Sequence, residues 1–228
     1  TIDPKGGWFH ATLIAPFVEF FQRNTIGSAI TILVFILLYK FGDAFAGVMA
    51  NPFYILIGFT KVEIANVSKV FGVFATLLGV FLGGQVVKRF GILDSLLYCG
   101  ILQMISNLMF AAQAAIGPEV GFLFLTIGIE NLSGGMGSAA FVAYLSMLCN
   151  TAYTGTQYAL FTSLMAFGRT WLSAASGWTA DQMDWAIFFI ISTFLAMPGL
   201  LLLMWMKRHL PMRVQRGLPN DTTVVSGQ

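Results

Sequence analysis

Charge is scarce in this chain. Its 228 residues carry 12 Lys and Arg and 10 Asp and Glu, so 10% are charged, where a soluble domain carries about 25%. That shortage excludes an ordinary water-soluble globule. Cysteine and histidine are scarcer still, two of each. Cys99 and Cys149 lie in apolar segments and His10 and His209 lie outside them, so no metal-ligand spacing exists and no metal is expected. The two thiols read as small buried hydrophobes rather than a disulfide. No G-x-x-x-x-G-K-[ST] phosphate loop, no H-E-x-x-H and no G-x-S-x-G occurs. The chain therefore does not read as an ATPase, a metalloenzyme or a serine hydrolase, and no cofactor is expected. Apolar matter dominates: 57% of residues are hydrophobic, 22 are Phe and 24 are Gly. That mixture predicts an all-α integral membrane protein, in which glycine lets helices pack closely.

One stretch organises the rest: Glu130-Asn131-Leu132-Ser133-Gly134-Gly135-Met136-Gly137, inside an apolar run from Val120 to Leu148. The run exceeds the roughly 20 residues needed to cross a bilayer. A carboxylate at that depth costs roughly 2.5–3.5 kcal/mol on insertion scales. Its presence predicts a helix that faces a protein cavity rather than lipid.

Taken in order, residues 1–24 predict an interfacial segment with an amphipathic piece from Phe9 to Phe21, Phe17, Phe20 and Phe21 on one face and Glu19, Gln22 and Arg23 elsewhere. No signal-peptide pattern precedes the first span, and since the sequence starts at Thr1, further residues are expected ahead of it. Residues 25–206 predict a bundle of six spans, and 207–228 a basic tail. The spans are expected near residues 27–50, ended by Asn51-Pro52, then 62–87, 92–115, 120–148, 158–180 and 185–206, the last kinked at Met197-Pro198-Gly199. Thr60-Lys61-Val62-Glu63 has the pattern of a capping box. Gly79 and Gly83 are spaced for close helix packing, and Gly83 to Gly91, with Lys88 and Arg89, reads as a tight basic turn. Lys69 is placed to snorkel toward the near interface.

An even number of spans puts both termini on one side. Loops on that side hold Lys5, Arg23, Lys88, Arg89, Lys207, Arg208, Arg213 and Arg216, while the other side holds Lys61, Glu63, Glu119, Asp181 and Asp184. The positive-inside rule then makes the termini cytoplasmic. The basic tail is read as this topological signal, not as a nucleic-acid patch.

The candidate functional residues are the polar groups left inside the spans. Lys40 and Asp43, at i and i+3, share a helix face and can pair. They read either as a salt bridge at the membrane edge or as a proton- or solute-contacting pair. Burial in a dry cavity disfavours a carboxylate's charge, so Glu130 and Asp43 are candidate proton carriers. Glu130 reads alternatively as a static partner of Arg169 or Lys40. Asn131 and Arg169 complete the proposed pathway. Gln103, Asn107, Gly134, Gly135, Gly137 and Tyr144 are cavity-lining or close-packing positions.

Six spans, cytoplasmic ends and the turn Gly83-Gly84-Gln85-Val86-Val87-Lys88-Arg89-Phe90-Gly91 resemble one half of a major facilitator superfamily transporter. The turn lacks the acidic residue usual in that loop. Three further stretches, in this order, resemble the C-terminal half of the anhydromuropeptide permease family within it. They are Leu38 to Phe45, Glu130 to Tyr144, and Thr156-Gln157-Tyr158-Ala159-Leu160. The resemblance implies a proton-driven importer of N-acetylglucosaminyl-anhydromuramyl peptides in the bacterial inner membrane, serving peptidoglycan recycling. It also implies a preceding half of the same transporter, with the solute site between the halves. The rival readings are a superfamily carrier of another solute (a sugar, acetyl-CoA or a drug), a membrane-embedded enzyme, and a non-transporting scaffold.

Overall fold

A computed structural model describes residues 15–210. His10, most of the amphipathic piece's first half, Lys5 and the tail cations Arg213 and Arg216 lie outside the described residues. Within them the chain is helical, with no strand. A nine-residue helix α1 (Ala15–Arg23) leads into the first traverse, made of α2 (Ile26–Tyr39) and α3 (Phe41–Leu56). The second traverse is α4 (Lys61–Ala65), a π-helical stretch from Asn66 to Phe71, and α5 (Gly72–Phe90). Then come α6 (Ile92–Ile116), α7 (Val120–Leu148), α8 (Thr154–Ser173) and α9 (Ser176–Asp181). The last traverse is α10 (Trp185–Leu195) followed by α11 (Met197–His209).

Five of these helical stretches are long and apolar enough to span a bilayer: Ile26–Leu56, Lys61–Phe90, Ile92–Ile116, Val120–Leu148 and Trp185–His209. The expected fifth span corresponds to α8 and α9. At 20 residues α8 has the length, but Thr154, Thr156, Gln157, Thr162, Ser163, Arg169, Thr170 and Ser173 dilute its apolar character. Its threonine hydroxyls at 162 and 170 bond back to carbonyls four residues earlier, at 2.9 and 3.0 Å, which hides them from lipid.

The first span runs on past Asn51-Pro52 to Leu56. Proline costs a helix one hydrogen bond, but Phe53 and Tyr54 just beyond it are buried among Phe110, Trp185 and Phe189, and that aromatic packing holds the last turn. The chain turns instead at Gly58, whose φ of 114° suits glycine. The capping box forms: Glu63 N–H donates to Thr60 Oγ1 at 3.3 Å, and Thr60 N–H donates to Glu63 Oε2 at 2.9 Å.

The basic turn expected at 83–91 is mostly helix. Gly83, Gly84, Lys88 and Arg89 all belong to α5, and only Gly91, at φ 81°, makes the turn. Gly83 serves contact rather than bending: a Cβ there would lie 2.7 Å from the backbone of Met136. Gly79 likewise meets the Leu132 backbone, so the small-residue face packs α5 directly onto α7. Gly84 has open space around it. Lys69 sits on the exposed side of the π-helical stretch.

Two spans are interrupted at the same depth. In the first, Lys40 (φ −100°, ψ 9°) separates α2 from α3. In the last, Ala196 separates α10 from α11, with Pro198 in the first turn of the new helix, at the kink the sequence predicts. The two breaks touch. A Cβ on Gly199 would come within 2.8 Å of the Leu38 carbonyl, and one on Gly42 within 2.7 Å of Ala196 Cβ.

The apolar core divides at this level. One cluster holds Ile32, Phe35, Ile36, Leu96, Leu145, Leu148, Leu203 and Met206. The other holds Phe45, Phe53, Tyr54, Phe110, Leu123, Phe188 and Phe189. Between them lies a polar layer.

Candidate functional site: a charged cavity at mid-membrane

A cavity of about 350 Å³ opens in that polar layer. Its walls come from five traverses: Lys40, Asp43 and Gly47 from the first, Thr76 and Val80 from α5, Gln103 from α6, Glu130, Asn131, Gly134, Gly135 and Ser138 from α7, and Met165 and Arg169 from α8. The helix break explains how Lys40 reaches it, since the residue between α2 and α3 is freed from the regular rotation of either helix. Lys40 Nζ is caged by oxygens, with Gln103 Oε1 at 3.1 Å, Asp43 Oδ2 at 3.4 Å and Ser138 Oγ at 3.4 Å. The ion pair is largely enclosed, the two side chains being 17% and 22% exposed. The membrane-edge reading of this pair therefore fails: it lies between the two core clusters.

Glu130 makes no ion pair among the described residues, so the static-partner reading with Arg169 or Lys40 is not what the structure shows. Its Oε2 accepts a hydrogen bond from Asn131 Nδ2 at 3.0 Å. Asn131 Nδ2 also donates to the Ile127 carbonyl at 2.9 Å, and its Oδ1 lies 2.9 Å from Thr76 Oγ1. The amide is thus fixed by α5 and its own helix, with one N–H turned to the carboxylate. Arg169 lines the same cavity, exposed, with no hydrogen bond or ion pair among the described residues.

The glycines divide by task. Gly135 packs on α5: a Cβ there would meet the Thr76 carbonyl oxygen at 2.5 Å. Gly137 makes room for the amide of Gln103, whose Oε1 would be 2.6 Å from a Cβ, and Gly134 faces the same amide more loosely at 3.6 Å. Asn107 and Tyr144 do not line the cavity. Asn107 is 3% exposed, and its Nδ2 has no hydrogen-bond partner among the described residues, so it is a packed position rather than a cavity wall. Tyr144 is packed against Phe35 and Phe141, with ring centroids 5.3 and 6.5 Å away. Gly83, Gly84, Lys88, Arg89 and Gly91 belong to the far end of α5 and its turn, away from the cavity.

A polar network at the basic end was missed in the sequence. Glu19 of α1 accepts from Asn150 Nδ2 at 2.7 Å and Gln157 Nε2 at 2.6 Å, and Arg23 Nη2 donates to the Leu148 carbonyl at 2.6 Å, closing the C-terminus of α7. Gln157 Oε1 in turn accepts from the Asn150 backbone at 2.7 Å. Arg23 is therefore buried rather than on a solvated face. A small apolar cavity of about 120 Å³ lies beside this network, between α1, α2 and α8, remote from the charged groups.

No family model matches the chain. Individual relatives do. A putative transporter AmpG 4 of Rickettsia conorii is 39% identical over 197 residues, covering 86% of this chain and 47% of the relative. The homonymous protein of Rickettsia felis is 38% identical over 88% of this chain and 48% of its own length. The anhydromuropeptide permease of Escherichia coli is 38% identical over 199 residues, covering 87% of this chain and 40% of the permease. The chain is similar to these AmpG transporters over most of its own length. It spans about half the length of the curated relatives it matches, in keeping with the half-transporter resemblance. The AmpG relatives are named as transporters and permeases, not as enzymes.

Proposed function

We propose that this chain is the C-terminal half of a proton-driven transporter that imports anhydro-muropeptides across the bacterial inner membrane for peptidoglycan recycling. The observation that carries the reading is the cavity itself. Two acids, two bases and an amide network meet at bilayer depth around a concave surface, where each charge is costly unless it borders a wet passage or a partner. The names of the relatives at 37–39% identity supply the solute class.

In this reading Lys40, Asp43, Glu130, Asn131 and Arg169 line the proton and solute path. The preceding half of the same transporter forms the opposite wall, with the site at the interface of the halves. Glu130 is the stronger candidate for the coupling proton, since among the described residues its carboxylate is supported by one amide N–H, whereas Asp43 is held by Lys40. Both termini face the cytoplasm, because Arg23, Lys88, Arg89, Lys207 and Arg208 gather at one end and Glu63, Glu119, Asp181 and Asp184 at the other.

The test is uptake of labelled anhydro-muropeptide by the full-length protein in cells lacking their own permease. Uptake that a protonophore abolishes supports the reading. Uptake indifferent to the protonophore removes the proton coupling, and no uptake at all removes the solute.

A further inference from the structure

We propose that Arg169 is the residue that takes a carboxylate of the transported solute, and that Lys40, the cavity's other cation, is not available for that task. The proposal rests on the muropeptide reading above and names a subsite within it.

The two cations differ in what already surrounds them. An ammonium has three N–H donors and no acceptor. Lys40 Nζ has three oxygens within hydrogen-bond reach, from Asp43, Gln103 and Ser138 on three different helices. Its charge is balanced by Asp43 and its donors are used. A solute carboxylate arriving there would compete with a carboxylate already in place.

Arg169 is the reverse case. A guanidinium offers five donors in a planar fork that matches a carboxylate at two points. Among the described residues none of the five is used. Glu130 borders the same cavity but forms no ion pair with it, and the Asp43 oxygen is turned to Lys40. The residue stands about 22 Å of helix from Thr154 and about 6 Å from Ser173, at 1.5 Å per residue, toward the α9 end of its traverse. Phe141, Val142 and Met165 line the same cavity and supply its apolar wall. With no hydrogen bond or ion pair among the described residues, the guanidinium gains when an anion reaches it. A peptide-bearing solute brings carboxylates, and the fork geometry selects them over a hydroxyl-only sugar.

The experiment uses the full-length transporter and two labelled solutes: an anhydro-muropeptide, and the same compound with its carboxyl groups amidated. Wild-type protein is expected to take up the acid form about tenfold or more efficiently than the amide. Arg169→Gln should lower uptake of the acid form by a similar factor, lower that of the amide far less and so bring the discrimination close to one, so that the two changes are not additive. Membrane abundance is followed in parallel. Should Arg169→Gln not accumulate, Arg169→Lys decides: it keeps the charge and loses the fork, and reduced discrimination supports the assignment while unchanged discrimination overturns it. Equal loss for both solutes would mean that the guanidinium is held by an acid of the protein, and overturns the assignment. So does no change in either. Failure of wild-type protein to transport either solute is a different result, and overturns the muropeptide reading together with this one.

Discussion

Gly137 has no side chain because the amide of Gln103 occupies that volume. A methyl there would lie 2.6 Å from Gln103 Oε1 and 3.5 Å from Lys40 Nζ. Gly137→Ala should therefore push Gln103 off the ammonium and lower uptake several-fold, with the amount of protein in the membrane little changed. Gly134→Ala, whose nearest neighbour is 3.6 Å away, should leave uptake near wild type. Comparing the two by initial uptake rate and immunoblot checks the assignment. Asp43→Asn and Glu130→Gln should each lower protonophore-sensitive uptake by about tenfold or more, while Gln103 and Ser138 still hold Lys40 in the first variant and keep it folded. Uptake unchanged in both would take these acids out of the coupling. At this scale much was legible beforehand. Charged residues inside apolar runs are conspicuous because bilayer cost makes them so, which exposed Lys40, Asp43, Glu130 and Arg169. What the sequence does not carry is which acid meets which base. That depends on the rotation of five traverses about their axes, and it left Glu130 and Arg169 without an ion pair among the described residues, contrary to one of the two expectations for Glu130.

The contact between α5 and α7 is made by backbone rather than side chains. Gly79 and Gly83 meet Leu132 and Met136 with no room for another atom. Gly79→Leu or Gly83→Leu should separate the two helices and sharply lower the folded yield, overpacking of this kind costing about 1–3 kcal/mol or more. Gly84→Leu, on the same helix with nothing within 4 Å, should not. Size-exclusion profiles and melting temperatures of detergent-extracted protein would separate the three. The four-residue spacing of Gly79 and Gly83 announced this contact in advance. The π-helical stretch from Asn66 to Phe71 and the interruption at Lys40 had a weaker sign, since no proline lies in either and the nearby Gly72 and Gly42 look like ordinary packing glycines. They arise from how neighbouring helices pack. Pro52 gave the opposite error: it reads as a stop, yet aromatic burial beyond it holds the helix together. The network joining Glu19, Asn150 and Gln157 was hidden for another reason. Glu19 is more than 130 residues from its two partners along the chain, and loops rich in Asn, Thr and Gln look alike whether or not they dock anything.

At the scale of the whole bundle, the ends carry opposite charge, and the Lys207–Asp94 ion pair ties α11 to α6 at the basic end. In a full-length background lacking Cys99 and Cys149, a cysteine at Lys88 should react with membrane-permeant thiol reagents only, and a cysteine at Glu119 also with impermeant ones added to intact cells. The reverse labelling would invert the orientation. Fold class was readable from composition, because few charges and many apolar residues leave little choice. Among the described residues the strictly apolar count stops at five, since α8 carries Arg169 at the cavity, Gln157 in the Glu19 network and threonines that bond back to its own turns. The touching breaks have a wider result. Below them, α2 and α11 share one set of core neighbours; above them, α3 and α10 share another. The molecule is thus built as two storeys on a common floor in its first and last spans alone, while α6 and α7 rise unbroken through both and act as the pillars that hold one storey over the other.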